Sequence, residues 1–143
     1  MDGLRRAVHS WLVESRQERS TFERSLVSVV DDDESVRESL PDLLREFGFT
    51  ALAFSSADEF LASDSVSRTR CLVLDIAMPG MSGLDLQKEL KSRGYNIPVI
   101  FITGQKDESV RRRGLEQGAV DVLFKPFGDI ALRDALRKAM GGS

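Results

Sequence analysis

The sequence holds one cysteine, one histidine and one tryptophan in 143 residues, and each shortage closes off a class of function. Cys71 alone can form neither an internal disulfide nor a Cys-x-x-Cys metal site. It stands in the apolar run Cys71-Leu72-Val73-Leu74 and reads as a small core residue of a protein kept in a reducing compartment. His9 reads as a solvated residue of a polar-rich segment rather than a phosphotransfer group. A basic excess is missing as well. The 20 Lys+Arg face 23 Asp+Glu, a net charge of −3, which argues against direct nucleic-acid binding by this chain. No apolar run approaches the roughly 20 residues of a membrane span, and Met1-Asp2-Gly3-Leu4-Arg5-Arg6 lacks the apolar stretch of a signal peptide. The reading is a soluble, cytoplasmic protein.

What is present is a rhythm. With 41% hydrophobic residues the chain can bury one ordinary core, and from Leu26 short apolar runs alternate with segments of helical period. Strands are expected at Leu26–Val30, Thr50–Phe54, Cys71–Leu74, Pro98–Ile102 and Ala119–Phe124. Such βα units predict an α/β fold, a five-stranded parallel sheet with helices on both faces. The first helix carries Val36, Leu40, Leu43, Leu44 and Phe47 and ends at Gly48; Pro41 inside it is expected on an exposed side, bending the helix. Ser56-Ala57-Asp58-Glu59 reads as a capping box opening a short second helix. A third uses Leu84, Leu90 and the terminating Gly94, with Leu86 fitting the stripe less well. The fourth, about Asp107 to Gln117, is thin in apolar residues, carries Arg111-Arg112-Arg113 and contains Gly114, so it is expected to be the least stable. Ile130, Leu132, Leu136 and Met140 mark the fifth. Residues 1–25 lie outside the rhythm as an N-terminal extension, in which Leu4, Val8, Trp11 and Leu12 fall on one face of an amphipathic helix. Residues 26–140 form the folded domain and 141–143 a tail.

In an open parallel sheet, ligands bind beyond the carboxyl ends of the strands. There strand one runs into Asp31-Asp32-Asp33, strand three into Asp75, strand four into Thr103-Gly104, and strand five into Lys125-Pro126-Phe127. Taken singly, each is a helix cap or a turn residue, and Asp33 before Glu34 reads as a cap. Their arrival at one rim from four strands makes a constellation. Acids from two neighbouring strands repel unless a cation lies among them, and Mg²⁺, with its preference for hard oxygen ligands, suits that place.

The blocks Val29-Val30-Asp31-Asp32-Asp33, Leu74-Asp75-Ile76-Ala77-Met78-Pro79-Gly80-Met81-Ser82-Gly83, Ile102-Thr103-Gly104 and Lys125-Pro126-Phe127 resemble the signatures of the CheY-like receiver domains of bacterial two-component response regulators. The resemblance runs from about Leu26 to Met140 and is strongest to regulators of the FixJ/NarL kind, whose output is usually a helix-turn-helix DNA-binding domain. It implies a flavodoxin-like, doubly wound sheet of order 2-1-3-4-5. It implies Asp75 as the acceptor of a phosphoryl group from a sensor histidine kinase. It further implies Mg²⁺ bound by Asp32, Asp75 and the Ala77 backbone carbonyl, with Asp31 acting through water, and Thr103 and Lys125 contacting phosphoryl oxygens. Slow self-dephosphorylation follows, and a homodimer through the fourth helix, fifth strand and fifth helix. Such a domain is a switch rather than an enzyme.

Two departures stand out. Val122 occupies the place, three residues before Lys125, where these domains usually carry a mobile Tyr or Phe, and Gly114 with the arginine run alters the fourth helix. No output domain follows Met140 in this sequence, which leaves open both a transcriptional switch and a stand-alone phosphate sink or shuttle. A small Mg²⁺-dependent phosphohydrolase is the poorest reading, because Ala77 stands where that class needs a second acid.

Overall fold

The computed structural model describes residues 25–141. The expected extension helix with Leu4, Val8, Trp11 and Leu12, together with His9 and the last two residues, lies outside them. In chain order the elements are β1 (Leu26–Val30), α1 (Glu34–Glu46), β2 (Thr50–Phe54), α2 (Ala57–Ala62), a 3₁₀ turn (Val66–Arg68), β3 (Thr69–Asp75), α3 (Gly83–Ser92), β4 (Val99–Thr103), α4 (Glu108–Glu116), β5 (Asp121–Phe124) and α5 (Asp129–Ala139). All strands pair in parallel, in the order β2-β1-β3-β4-β5. The expected fold and strand order hold.

Alternation along the strands splits the core in two, since successive side chains leave a strand on opposite faces. Cys71 and Val73 join Val27, Val29, Ile100 and Ile102 under α1 and α5. Leu72 and Leu74 join Val30, Phe101 and Val122 under the layer that contains α2 and α3. Both faces are therefore apolar, which is why the central strands read as nearly unbroken Val, Ile and Leu.

Two local expectations change. Pro41 is buried, not exposed, inside a helix assigned without interruption from Glu34 to Glu46. Its ring is apolar and carries no N–H, so Leu40, Pro41 and Leu44 form one inward surface on which proline adds no unpaired donor. Leu86 is fully buried, beside Leu84, Gln87 and Leu90. The capping residues behave as expected: Ser56 accepts from the Glu59 N–H at 3.1 Å, and Gly48 and Gly94 close their helices at positive φ.

Gly114 is a close-packed seat, not merely a weak point in α4. A Cβ there would stand 2.8 Å from Val122 Cγ2 and 3.0 Å from Phe101 Cδ2, so the bare glycine lets α4 lie directly on β4 and β5. Gly114→Ala should destabilise the domain by about 1–3 kcal/mol through overpacking. In a denaturant double-mutant cycle, Val122→Ala should recover part of that loss by removing the clashing methyl. Strict additivity of the two substitutions would show that the seat is not shared.

Candidate functional site

Strand order reverses between β1 and β3, and the ends of those strands carry the acids. Val30 is level with Leu74, so Asp31 and Asp75 follow side by side. One carboxylate oxygen from each of Asp31, Asp32 and Asp75 lies within 4.8 Å of the others. Asp31 and Asp75 are buried and Asp32 is exposed. Lys125, from the end of β5, reaches over the sheet edge to place Nζ 2.7 Å from Asp31 Oδ2 and 3.7 Å from Asp75 Oδ1.

Three of the four polar groups of Asp31 are hydrogen-bonded. Its N–H donates to the Phe54 carbonyl at 3.1 Å, its Oδ1 accepts from the Asp33 N–H at 2.9 Å, and its own carbonyl accepts from Arg37 Nη1 at 3.0 Å. Oδ2 has the lysine charge beside it but no aligned hydrogen-bond donor, so this buried oxygen keeps a lone pair. Asp33 turns away as the N-cap of α1, accepting from the Ser35 N–H and hydroxyl at 2.9 and 2.8 Å. Those two bonds hold its carboxyl below the usual carboxylate range.

Thr103 ends β4 fully buried. Its hydroxyl oxygen accepts from the Gln105 N–H at 3.1 Å, leaving the hydroxyl proton to donate. Its carbonyl accepts from the Lys125 N–H at 2.7 Å, fastening the last two strands together just below the site. After Asp75 the chain turns through Gly80, at φ +75°, where a side chain is strained. Gly83 has a different reason: a Cβ there would collide with the Asp75 carbonyl, and its N–H donates to the Ile76 carbonyl at 2.9 Å. Ala77, exposed two residues beyond Asp75, adds no acid.

The electrostatics follow from this packing. Burial, then the neighbouring Asp31 charge, pushes the Asp75 carboxyl up to about 7, against the pull of Lys125. Burial alone would lower the Lys125 ammonium, but the Asp31 and Asp75 carboxylates outweigh it and raise it. Three carboxylates facing one lysine leave a surplus of negative charge around hard oxygen ligands, an arrangement that could hold a metal ion. Cys71 is fully buried, and desolvation pushes its thiol up to about 12.

The structure thus brings together Asp31, Asp32, Asp75 and Lys125 and places Thr103 on the same rim. Sequence reading missed two other features. One is Arg37 on the Asp31 carbonyl, whose only signal was a basic residue one turn into the helix after the acids. The other is a clasp across α3 and α4: Lys91 Nζ donates to the Gln117 carbonyl at 2.6 Å, and Gln117 Nε2 donates to the Leu84 carbonyl and Gln87 Oε1 at 2.8 Å. No spacing rule connects those positions.

A sequence profile of the response regulator receiver domain matches residues 27–137. The chain belongs to the response regulator receiver family. The receiver is 49% identical over 113 residues to Nodulation protein W of Bradyrhizobium diazoefficiens, covering 79% of this chain and 50% of that protein. It is 43% identical over 116 residues to response regulator protein TodT of Pseudomonas putida, covering 81% and 51%. The crystal structure of FixJ-N superposes with a TM-score of 0.73 at 38% identity, covering 82% of this chain and 94% of that one. The receiver spans about half the length of these curated relatives. The resemblance read from the motif blocks, including its leaning toward FixJ, is met by these relatives. It is a domain of two-component response regulators, and among the described residues no helix is long and apolar enough to cross a membrane.

The raised Asp75 carboxyl has a thermodynamic sign. A carboxyl whose folded value exceeds its unfolded value stabilises fully below about pH 4, and that contribution is lost as pH rises through about 7. Metal-free receiver should therefore lose stability between these limits. Asp75→Asn should flatten that slope and be the more stable protein at pH 8, by on the order of 2 kcal/mol, with little difference at about pH 4. Parallel urea curves at both pH values check this.

Proposed function

We propose that Asp75 is the phosphoacceptor of this receiver, taking a phosphoryl group from a sensor histidine kinase with Mg²⁺ as cofactor. The observation that carries the reading is the end of β3: a buried carboxylate, level with Asp31, with Lys125 in reach of both. Asp31, Asp32 and Asp75, with the Ala77 carbonyl, would hold the metal, and the unsatisfied Oδ2 of Asp31 fits that part. When bound, Mg²⁺ supplies positive charge that keeps the carboxylates ionised and offsets the charge of an incoming phosphate.

The chain's own groups account for the rest. An Asp75 carboxylate oxygen attacks phosphorus, the bond from phosphorus to the donor imidazole nitrogen breaks, and the nitrogen leaves with its electron pair. Such a transfer asks for positioning and charge neutralisation more than covalent help. Lys125 meets one phosphoryl oxygen and the free proton of Thr103 another. Later attack of water on the acyl phosphate returns Asp75 slowly to its starting state. The domain works in the cytoplasm as the input half of a longer regulator, most consistent with transcriptional output, since FixJ of Azorhizobium caulinodans, 43% identical, is named a transcriptional regulatory protein. Asp75→Asn should abolish labelling by acetyl phosphate or a kinase, and chelation of Mg²⁺ should do the same to the parent protein. Undiminished labelling of the variant would remove the assignment.

The signal leaves through the β4–α4 segment. Val122 is fully buried against the Gly114 seat, and its branched Cβ offers no swing between buried and exposed positions. Movement of Thr103 must then pass to the backbone of residues 104–107 and the first turns of α4, while the clasp at Gln117 fixes the other end. The face changed in this way includes Asp121, which lies 3.9 Å from Arg111 and 3.7 Å from Lys138, and it is the proposed dimer surface of α4, β5 and α5. Hydrogen exchange with and without beryllofluoride should change most in residues 104–113 and least around Gln117. Change confined to α5 would place the route elsewhere.

A further inference from the structure

Arg37 is the charged member of an otherwise apolar set, Val36, Leu40, Pro41, Leu43 and Leu44, on the inward side of α1. It is half-buried, and it forms no ion pair among the described residues. Its partner is a neutral group, the Asp31 carbonyl, 3.0 Å from Nη1. A guanidinium partly withdrawn from water without a carboxylate partner is disfavoured, and the Asp31 carbonyl is the group that compensates it. It joins the second turn of α1 to the end of β1, next to the carboxylates of the site.

The peptide group explains what the bond can do. The Asp31 carbonyl shares one plane with the Asp32 N–H, so fixing the carbonyl fixes the rotation of the link between the two acids. Asp31 is also secured at its N–H and at Oδ1, and Oδ2 faces the Lys125 ammonium. Asp32, exposed and next in the chain, takes its direction from that link. Asp33 is tied to the same turn of α1, its Oδ1 accepting from the Ser35 N–H at 2.9 Å and its carbonyl from the Arg37 N–H at 3.1 Å. We infer that Arg37 is a positioning residue for the cation site: it sets the peptide plane from which the Asp32 carboxylate projects toward Asp31 and Asp75. The inference rests on the metal reading given above.

Charge and position make opposite demands, which is what makes the role measurable. If Arg37 acted only through its positive charge, removing it would make the acidic cluster more attractive to a cation and tighten Mg²⁺ binding. If it positions the ligands, removing it loosens them and weakens binding, as loss of groups that orient metal ligands commonly does by 10–100-fold. Calorimetric titration of the full 143-residue chain with Mg²⁺ alone, well below the unfolding temperature, separates the two. Arg37→Met should raise the Kd about tenfold. Arg37→Lys, which keeps the charge and one donor, should recover part of that loss, and it serves as the folded comparison if the methionine variant is too unstable to titrate. An unchanged or lower Kd in Arg37→Met, or in Arg37→Lys where it stands in, overturns the inference while leaving the metal site intact. No Mg²⁺ binding by the parent protein overturns the metal reading, and this inference with it.

Discussion

Two carboxylates buried side by side at the end of a parallel sheet repel one another in a medium that screens poorly, and the architecture at this rim answers that repulsion. Lys125 is the answer the chain itself provides. It comes from the edge strand, with two strands between it and β1, and its ammonium spans the rim to face both acids. The neutralisation is incomplete, because Asp32 adds a third carboxylate and one buried oxygen keeps an unused lone pair. That residual negative charge is what gives the rim the means to hold a metal ion.

The fold could be read in the sequence to the extent that burial leaves periodic marks. Strands covered on both faces cannot alternate apolar with polar residues, so Val29-Val30 and Leu72-Val73-Leu74 announced themselves, and the acids that ended those runs came with them. Asp31, Asp75, Thr103 and Lys125 were legible because each directly follows or ends a strand, where chain position alone assigns it to the rim. Pro41 was misplaced and Leu86 given too little weight for a common reason. Their sequence pattern was weighed against an ideal helix stripe, whereas a helix lying on a twisted sheet can bury a wider arc, and an imino ring without a donor is as easily buried as any alkyl group. Arg37 and Gln117 left no mark at all. Arg37 meets a backbone carbonyl of another segment and Gln117 does so in part, and a carbonyl is present at every position of every sequence.

The same distinction separates two kinds of rigidity around the site. The acidic loop is tied by short-range bonds within residues 31–37, which form as soon as α1 forms. The hydrogen bonds that join α4 to another helix lie at its far end, with partners some thirty positions earlier, while its opening turn is capped by its own Asp107. A site whose ligands are locally braced and whose outgoing helix is hinged at the far end can hold its chemistry still while its surface changes.

The burial of Cys71 bears on a different matter, the selectivity of the switch among chemical stimuli. It is the sole thiol of the sequence, closed on all sides by the α1 and α5 core, and its raised pKa keeps it from forming the thiolate through which peroxides, nitrosating agents and soft metal ions act. The chain therefore has no cysteine through which oxidative stress could speak. The rim of hard oxygen donors and the buried sulfur thus lie apart, and the one thiol of this sequence takes no part in the chemistry of the rim.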